Sequence, residues 1–366
     1  MIDVIIFEGS EAHSPVEEML IQARHGALRD NLDKLVGLLE VGRIFLVTNR
    51  PELVSLGGGK VQVEMNTVSP TAFRCGHELS RLVQKHNMAT VLCLGGAAVP
   101  LINAEELAIT CRLILEKQNR YVTNNVQSAD MIAFNPASVL TQFPPVATDN
   151  ALVLLLRYDA RFEQKLLPAT LGTQFDIDTP SDLLILADSP FGGPALRQAL
   201  ARLTLNTAAV KQVKAVLRGN YPDVALIGRI GAPAIARINH HFKVRLRVFS
   251  EERGMKALGR LERDEVVSLF GYWLAEIGPQ RFFAYLAETV QAALIDTRVL
   301  FAHQKVQHTD ADRFYSDLGQ FELVQDPFVR DFTRAAAECG IPVLLGGHSL
   351  VTGCVWALTE EIGCLF

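Results

Sequence analysis

No Cys-x-x-Cys pair occurs in this 366-residue sequence; Cys75, Cys93, Cys111, Cys339, Cys354 and Cys364 lie scattered among mostly apolar neighbours. That spacing excludes a zinc ribbon or dithiol redox motif and suits buried free thiols in a reducing compartment, so a cytoplasmic location is expected. Long apolar runs are also missing. Nothing approaches the roughly 20 residues of a membrane span, and Met1-Ile2-Asp3-Val4-Ile5-Ile6-Phe7 carries an acidic residue where a signal peptide needs a basic one. No membrane partner is expected. With a formal charge of −5 and no basic-aromatic run, no nucleic-acid partner is expected either. The local exception is the basic set Lys243, Arg245, Arg247 and Arg253. Internal repeats and low-complexity tracts are absent.

What is present is the composition of a compact globular protein, 49% hydrophobic and 20% charged. The length exceeds the usual size of one core, which predicts two domains. Short apolar runs at residues 4–7, 44–48, 90–94 and 131–134 read as buried parallel strands. Between them, residues 15–40, 72–87 and 104–117 repeat apolar positions at threes and fours, as helices do. Strand alternating with helix is the grammar of a doubly wound α/β sheet, whose ligands bind at the carboxyl ends of the strands. The loops there are rich in Gly and Asn: Glu8-Gly9-Ser10, Asn49-Arg50-Pro51, Gly95-Gly96, and Thr123-Asn124-Asn125 ahead of Ser128-Ala129-Asp130.

At Ser189-Pro190-Phe191-Gly192-Gly193-Pro194 a cluster of breakers interrupts this grammar. The expected domains are an α/β domain at 1–188 and a mainly α-helical domain at 195–366. Helices are predicted at 194–203, 207–218, 232–239, 251–260, 263–276, 278–296, 309–318 and 327–338, with a short buried run at 341–345.

The segment Phe175-Asp176-Ile177-Asp178-Thr179-Pro180-Ser181-Asp182-Leu183 sets three carboxylates around a Thr-Pro turn. By spacing alone it reads as a helix start: Asp178 or Thr179 as cap, Pro180 in the first turn, Asp182 against the positive helix end. It also resembles the D-x-D-T-P-x-D-L signature of nucleotidyltransferases with a GT-A-type fold. That resemblance covers about residues 1–188. It implies a GT-A-like mixed sheet and transfer of a nucleotide from an NTP to a small phosphorylated or carboxylated acceptor. It also implies a magnesium ion held by Asp178, with Asp176 or Asp130 assisting, and a nucleotide bound by Gly9, Ser10, Gly95, Gly96, Asn124 and Asn125. Arg43-Ile44-Phe45-Leu46-Val47-Thr48-Asn49 is similar to the family's second strand.

Two departures stand beside it. The family's G-G-D-x-P-L segment, which carries a second metal-binding Asp, is here Gly95-Gly96-Ala97-Ala98-Val99-Pro100-Leu101. Its basic phosphate-wrapping loop is here Glu8-Gly9-Ser10-Glu11-Ala12-His13, whose acidic residues repel a triphosphate. The alternative is a non-catalytic descendant that binds a nucleotide or a protein. The expected partner is a small molecule, a nucleotide or a phosphorylated metabolite; the sequence leaves self-association open.

Four further motifs have a structural and a chemical reading. Gly57-Gly58-Gly59-Lys60 lacks the Ser or Thr of a phosphate loop and reads as a turn. Gly346-Gly347-His348-Ser349-Leu350 is similar to a lipase elbow, but no histidine follows Ser349 to complete a triad, leaving a helix cap or a backbone ligand contact. Gly228-Arg229-Ile230-Gly231-Ala232-Pro233 reads as an anion seat before a helix, while the basic set downstream reads first as a charged edge strand. Asp296-Thr297-Arg298, with His303, Asp310, Asp312 and Arg313, reads first as an ion-pair network and second as a binding site.

Overall fold

The computed structural model describes residues 1–66, 68, 72–126, 129–146, 149–256, 258–306 and 308–363. Cys364 and Ser128 lie outside the described residues. Two compact units emerge. The first comprises Met1–Glu11, Arg24–Gln174 and Gly193–Leu196; the second comprises Ala12–Ala23, Phe175–Gly192 and Arg197–Phe366. The segment Phe175–Gly192, placed by the sequence reading at the end of the first domain, packs within the second unit.

Seven strands build the first sheet: β1 (Ile2–Glu8), β2 (Val41–Thr48), β3 (Val61–Met65), β4 (Val91–Gly95), β5 (Arg120–Thr123), β6 (Met131–Asn135) and β7 (Glu163–Leu166). Their spatial order is β3-β2-β1-β4-β6-β5-β7. The helices are α1 (Pro15–Val36), whose start up to Ala23 is assigned to the second unit, α2 (Cys75–Lys85), α3 (Ala104–Leu115), α4 (Asp149–Leu154) and α5 (Leu171–Gln174). Central strands are apolar on both faces because both are covered. Ile2, Val4 and Ile6 join Ile44, Leu46, Leu92 and Leu94 in one core cluster. Their alternates Ile5, Phe45, Val47, Val91 and Cys93 join another. The register pairs Val4 with Ile44 and with Leu92, so like faces align across the three strands. The result is an α/β fold on a mixed sheet.

One strand departs from expectation. β6, read as parallel, runs antiparallel to both β4 and β5. A short apolar run buried on both faces carries no sign of its direction. Strands β5 and β7 escaped the sequence reading because they are four residues each and β7 (Glu-Gln-Lys-Leu) is polar. The Gly57 to Lys60 stretch is a turn, as expected, with Gly58 and Gly59 at positive φ and Lys60 Nζ on Leu38 O.

The second unit is mainly helical around a four-stranded parallel sheet, β8 (Asp223–Gly228), β9 (Arg245–Ser250), β10 (Ala292–Asp296) and β11 (Val343–Gly346), in the order β11-β10-β8-β9. Its helices, with the start of α7 assigned to the first unit, are α6 (Pro180–Ala187), α7 (Pro194–Ala201), α8 (Ala208–Leu217), α9 (Ala232–His241), α10 (Leu269–Thr289), α11 (Thr297–His303), α12 (Asp310–Asp317), α13 (Pro327–Glu338) and α14 (Gly353–Gly363). The two helices expected to meet near 277 form α10, kinked at Gly278 (φ +76) ahead of Pro279. The second of them ends at Thr289, and β10 takes the apolar run that the helical periodicity had absorbed. No helix forms at 251–260 among the described residues; Gly254 and Gly259 adopt positive φ and the segment is a series of turns. Edge-to-face rings fill the core, Phe283 and Phe301 lying 4.9 and 5.4 Å from Phe332. β9 is an edge strand, and its exposed Arg245 pairs with Asp223, in keeping with a charged edge. Among the described residues no helix is long and apolar enough to cross a membrane.

Candidate functional site

In the first sheet the chain passes from β1 to β2 on one side while β4 lies on the other, so the switch point falls between β1 and β4. Glu8, the last residue of β1, is fully buried there and pairs with Arg24 Nη2 at 3.1 Å. A buried carboxylate needs such a partner. Behind it, Ser10 N donates to Asn49 Oδ1 at 3.0 Å, tying the β1 loop to the end of β2. Two polar atoms are left over: Ser10 Oγ and His25 Nε2 are buried with no hydrogen-bond partner. His25 is 8% exposed, and burial holds its pKa below the usual histidine value against the opposing pull of Glu8. Such orphaned atoms mark a place for water or a ligand.

The glycines of this crevice differ in their reasons. At Gly9 and Gly95 a Cβ would meet nothing nearer than 3.7 and 3.6 Å, so packing does not require glycine, and the bare backbone leaves room for a ligand. Gly96 is different, because a Cβ there would fall 2.1 Å from Glu8 Oε2 and 2.6 Å from Glu8 Cβ. Gly96→Ala is therefore expected to destabilise the protein by about 1–3 kcal/mol in urea unfolding, with Gly95→Ala near neutral. Equal effects of the two would contradict this packing.

Asn124 and Asn125 were expected to face the nucleotide. Asn124 is 3% exposed, and its amide is spent internally: Nδ2 donates to Asp130 Oδ2 (2.9 Å) and Thr173 O (3.0 Å), while Oδ1 accepts from Asp130 N and Met131 N. It clamps the turn between β5 and β6. Asn125 is half-buried beside it, its N–H directed to Thr123 Oγ1 at 3.4 Å.

The Asp176 to Asp182 segment belongs wholly to the second unit. Asp182 is completely buried. Its Oδ2 accepts from Asp178 N (2.9 Å), Thr179 N (2.7 Å) and Ser349 Oγ (2.8 Å), and its Oδ1 from Cys354 Sγ (3.1 Å). Burial, then the charge of Asp178, pushes its carboxyl up to about 7. Ser181 Oγ reaches Leu345 O on β11. Gly347 sits so close that a Cβ would be 2.9 Å from Thr179 Cγ2. The Thr-Pro turn thus docks α6 onto the loop after β11, and the helix-start reading holds in full. Ser349 is buried and donates to Asp182, a contact that serves this docking and differs from the histidine-paired serine of a lipase elbow.

The expected metal ligands are distributed. Asp130 lies in the first unit, Asp176 and Asp178 in the second. Asp176 Oδ1 accepts from Ile177 N at 2.8 Å, and the Asp178 carboxylate is exposed. Ala97, where the family carries its second Asp, is 1% exposed. Among the described residues no three His, Cys, Asp or Glu side chains are grouped to hold a metal ion. The donor set does not fit a cation held by the protein alone. His240 and His241 pack against each other, with His241 Nδ1 at Arg237 O.

Two ion pairs close the carboxyl edge of the second sheet. Arg229 meets Asp296 through Nε (2.6 Å) and Nη2 (3.0 Å), and Arg298 meets Asp317 through Nη1 (2.8 Å) and Nη2 (2.6 Å). The network reading of Asp296 and Arg298 is what the structure shows. Arg24, His25 and Asp317 were not read from the sequence as site residues. Each sits in a helix at ordinary spacing, and only the long-range contact singles it out.

No protein-family model and no curated protein matches this sequence. Solved structures similar to it include a cytidylyltransferase from Leptospira borgpetersenii, 16% identical, covering 50% of this chain and 84% of that one at a TM-score of 0.39. A 4-diphosphocytidyl-2C-methyl-D-erythritol synthase from Anaerococcus prevotii is 15% identical, covering 55% and 94% at 0.35. The glycosyltransferase GlyE of Streptococcus pneumoniae is 9% identical, covering 93% and 90% at 0.33.

Proposed function

We propose that this protein is nucleotidyltransferase-like, and that its first unit binds a nucleotide in the crevice at the carboxyl ends of β1, β2 and β4. One observation carries the reading. At the switch point of a sheet ordered β3-β2-β1-β4-β6-β5-β7, the loops after β1 and β4 present bare glycine backbone at Gly9 and Gly95 beside the unpartnered Ser10 Oγ and His25 Nε2. A fold hosts many activities, so the choice of a nucleotide rests on the resemblance of the D-x-D-T-P segment together with this crevice.

In transfer, an acceptor oxygen attacks the α-phosphorus in line and the bond to pyrophosphate breaks, so that positioning supplies most of the rate. The groups available for positioning are the backbone at Gly9, Ser10, Gly95 and Gly96, the Ser10 hydroxyl and the His25 imidazole. Low pKa keeps that imidazole neutral near pH 7, and Arg24 offsets the charge of Glu8. The buried Ala97 favours a second reading, a non-catalytic descendant that keeps the nucleotide and loses the transfer.

Titration of the four NTPs by calorimetry, with and without magnesium, followed by assay of pyrophosphate release with phosphorylated and carboxylated acceptors, separates the two. Binding that falls about 10-fold in His25→Ala, a loss of about 1.4 kcal/mol, together with pyrophosphate release, is the expected result. Binding without release selects the descendant. No binding of any NTP overturns both.

A further inference from the structure

The second unit has a switch point of its own. From β8 the chain enters β9 on one side of the sheet and then crosses to β10 on the other, so the crevice lies between the ends of β8 and β10. We propose that this edge is a separate site for a small phosphate monoester whose remainder carries hydroxyl groups.

Four loops converge there. Gly228 ends β8 at φ +118, and a Cβ on it would lie 2.5 Å from Asp296 Cβ, so only glycine lets the two strand ends come together. The following loop is held in place from β9, with Ser250 Oγ on Ile230 O (2.7 Å) and Glu251 N on Gly228 O (3.1 Å). This preorganises the start of α9, where the N–H groups of Gly231 and Ala232 have no partner among the described residues. A helix N-terminus with open amides attracts an oxyanion. Cations accompany it. Arg253, from the loop after β9, brings Nη2 to 3.4 Å from the position of a Gly231 Cβ. Arg229 is held by Asp296 through Nε and Nη2, so its guanidinium is fixed before any ligand arrives.

The fourth loop supplies His348, which follows β11. Its ring makes no hydrogen bond among the described residues, and the charges acting on it are those of Arg229, Asp296, Asp178 and Arg253. Gly346 pairs with Asp296, which holds Arg229, and Gly347 packs on Thr179, so the backbone brings His348 to the strand ends beside the exposed Asp178. A bare dianion suits the arginine end and not the Asp178 end. A phosphate monoester with hydroxyl groups satisfies both, its phosphate on α9, Arg253 and Arg229 and its hydroxyl donors on Asp178 and the imidazole.

Calorimetric titration with inorganic phosphate and with glycerol 3-phosphate tests this. The variants are Arg253→Ala and His348→Ala; melting curves establish that each is folded. The expected result is saturable binding of glycerol 3-phosphate at one site, tighter than inorganic phosphate. It weakens about 10-fold in either variant, equivalent to about 1.4 kcal/mol, and is unchanged in His25→Ala. No binding to the wild type, or binding that survives both variants, overturns the proposal. Binding lost in His25→Ala alone also overturns it, since the phosphate would then be a nucleotide surrogate in the first unit.

Discussion

Asp182→Ala is expected to lower the unfolding free energy by about 3–5 kcal/mol in urea titration. Two backbone N–H groups, the Thr179 and Ser349 hydroxyls and the Cys354 thiol converge on this one carboxyl in a completely buried setting. Alanine leaves all five without this acceptor, and each orphaned buried donor costs about 1–3 kcal/mol before partial relaxation. Asp182→Asn keeps an acceptor oxygen and is expected to cost far less. The pH dependence separates the two forms of the group. Its pKa rises from 3.8 to about 7 on folding, so the folded state holds a proton that the unfolded chain has released across that interval. The stability this contributes is complete below about pH 4 and is lost as pH rises through about 7. The advantage of wild type over Asp182→Asn should therefore shrink from pH 4 to pH 7. An advantage that grows over the same range would show that the carboxylate is charged in the folded protein.

Asp317→Ala has an expected loss of the same size, about 3–5 kcal/mol. Arg298 and Asp317 are 9% and 0% exposed at their side chains, and the bidentate contact satisfies both. Removing the carboxylate strands a buried guanidinium whose charge also acts on the neighbouring Arg313. The double replacement Arg298→Met with Asp317→Leu fills the space without charge and is expected to recover most of the loss. Unfolding curves that place the double variant no better than Asp317→Ala would show that lost packing, and not the stranded charge, sets the cost.

How far the chain itself disclosed this molecule differs between the fold and the site. The central strands were legible because they lie between two covered faces and read as unbroken apolar runs, and α1, α2, α3 and α13 because one face of each is apolar at helical spacing. β10 was hidden by the helical pattern running into it, and β7 by its polarity. At the site, Gly228-Arg229-Ile230-Gly231 could be singled out because glycine, cation and helix start are neighbours in sequence. Its partners after β9, β10 and β11 stood in the sequence as separate motifs, and only the sheet order brings them together.

The D-x-D-T-P segment shows the division most plainly. Local chemistry determined that Thr179, Pro180 and Asp182 begin a helix, since a cap, a fixed φ and an acidic first turn act within a few residues of one another. Which unit that helix joins, which of its carboxylates is buried with a raised pKa, and which faces solvent were decided by the tertiary structure. A carboxyl group's charge depends on the dielectric and the donors around it, and those around Asp182 arrive from Ser349 and Cys354, more than 160 residues away.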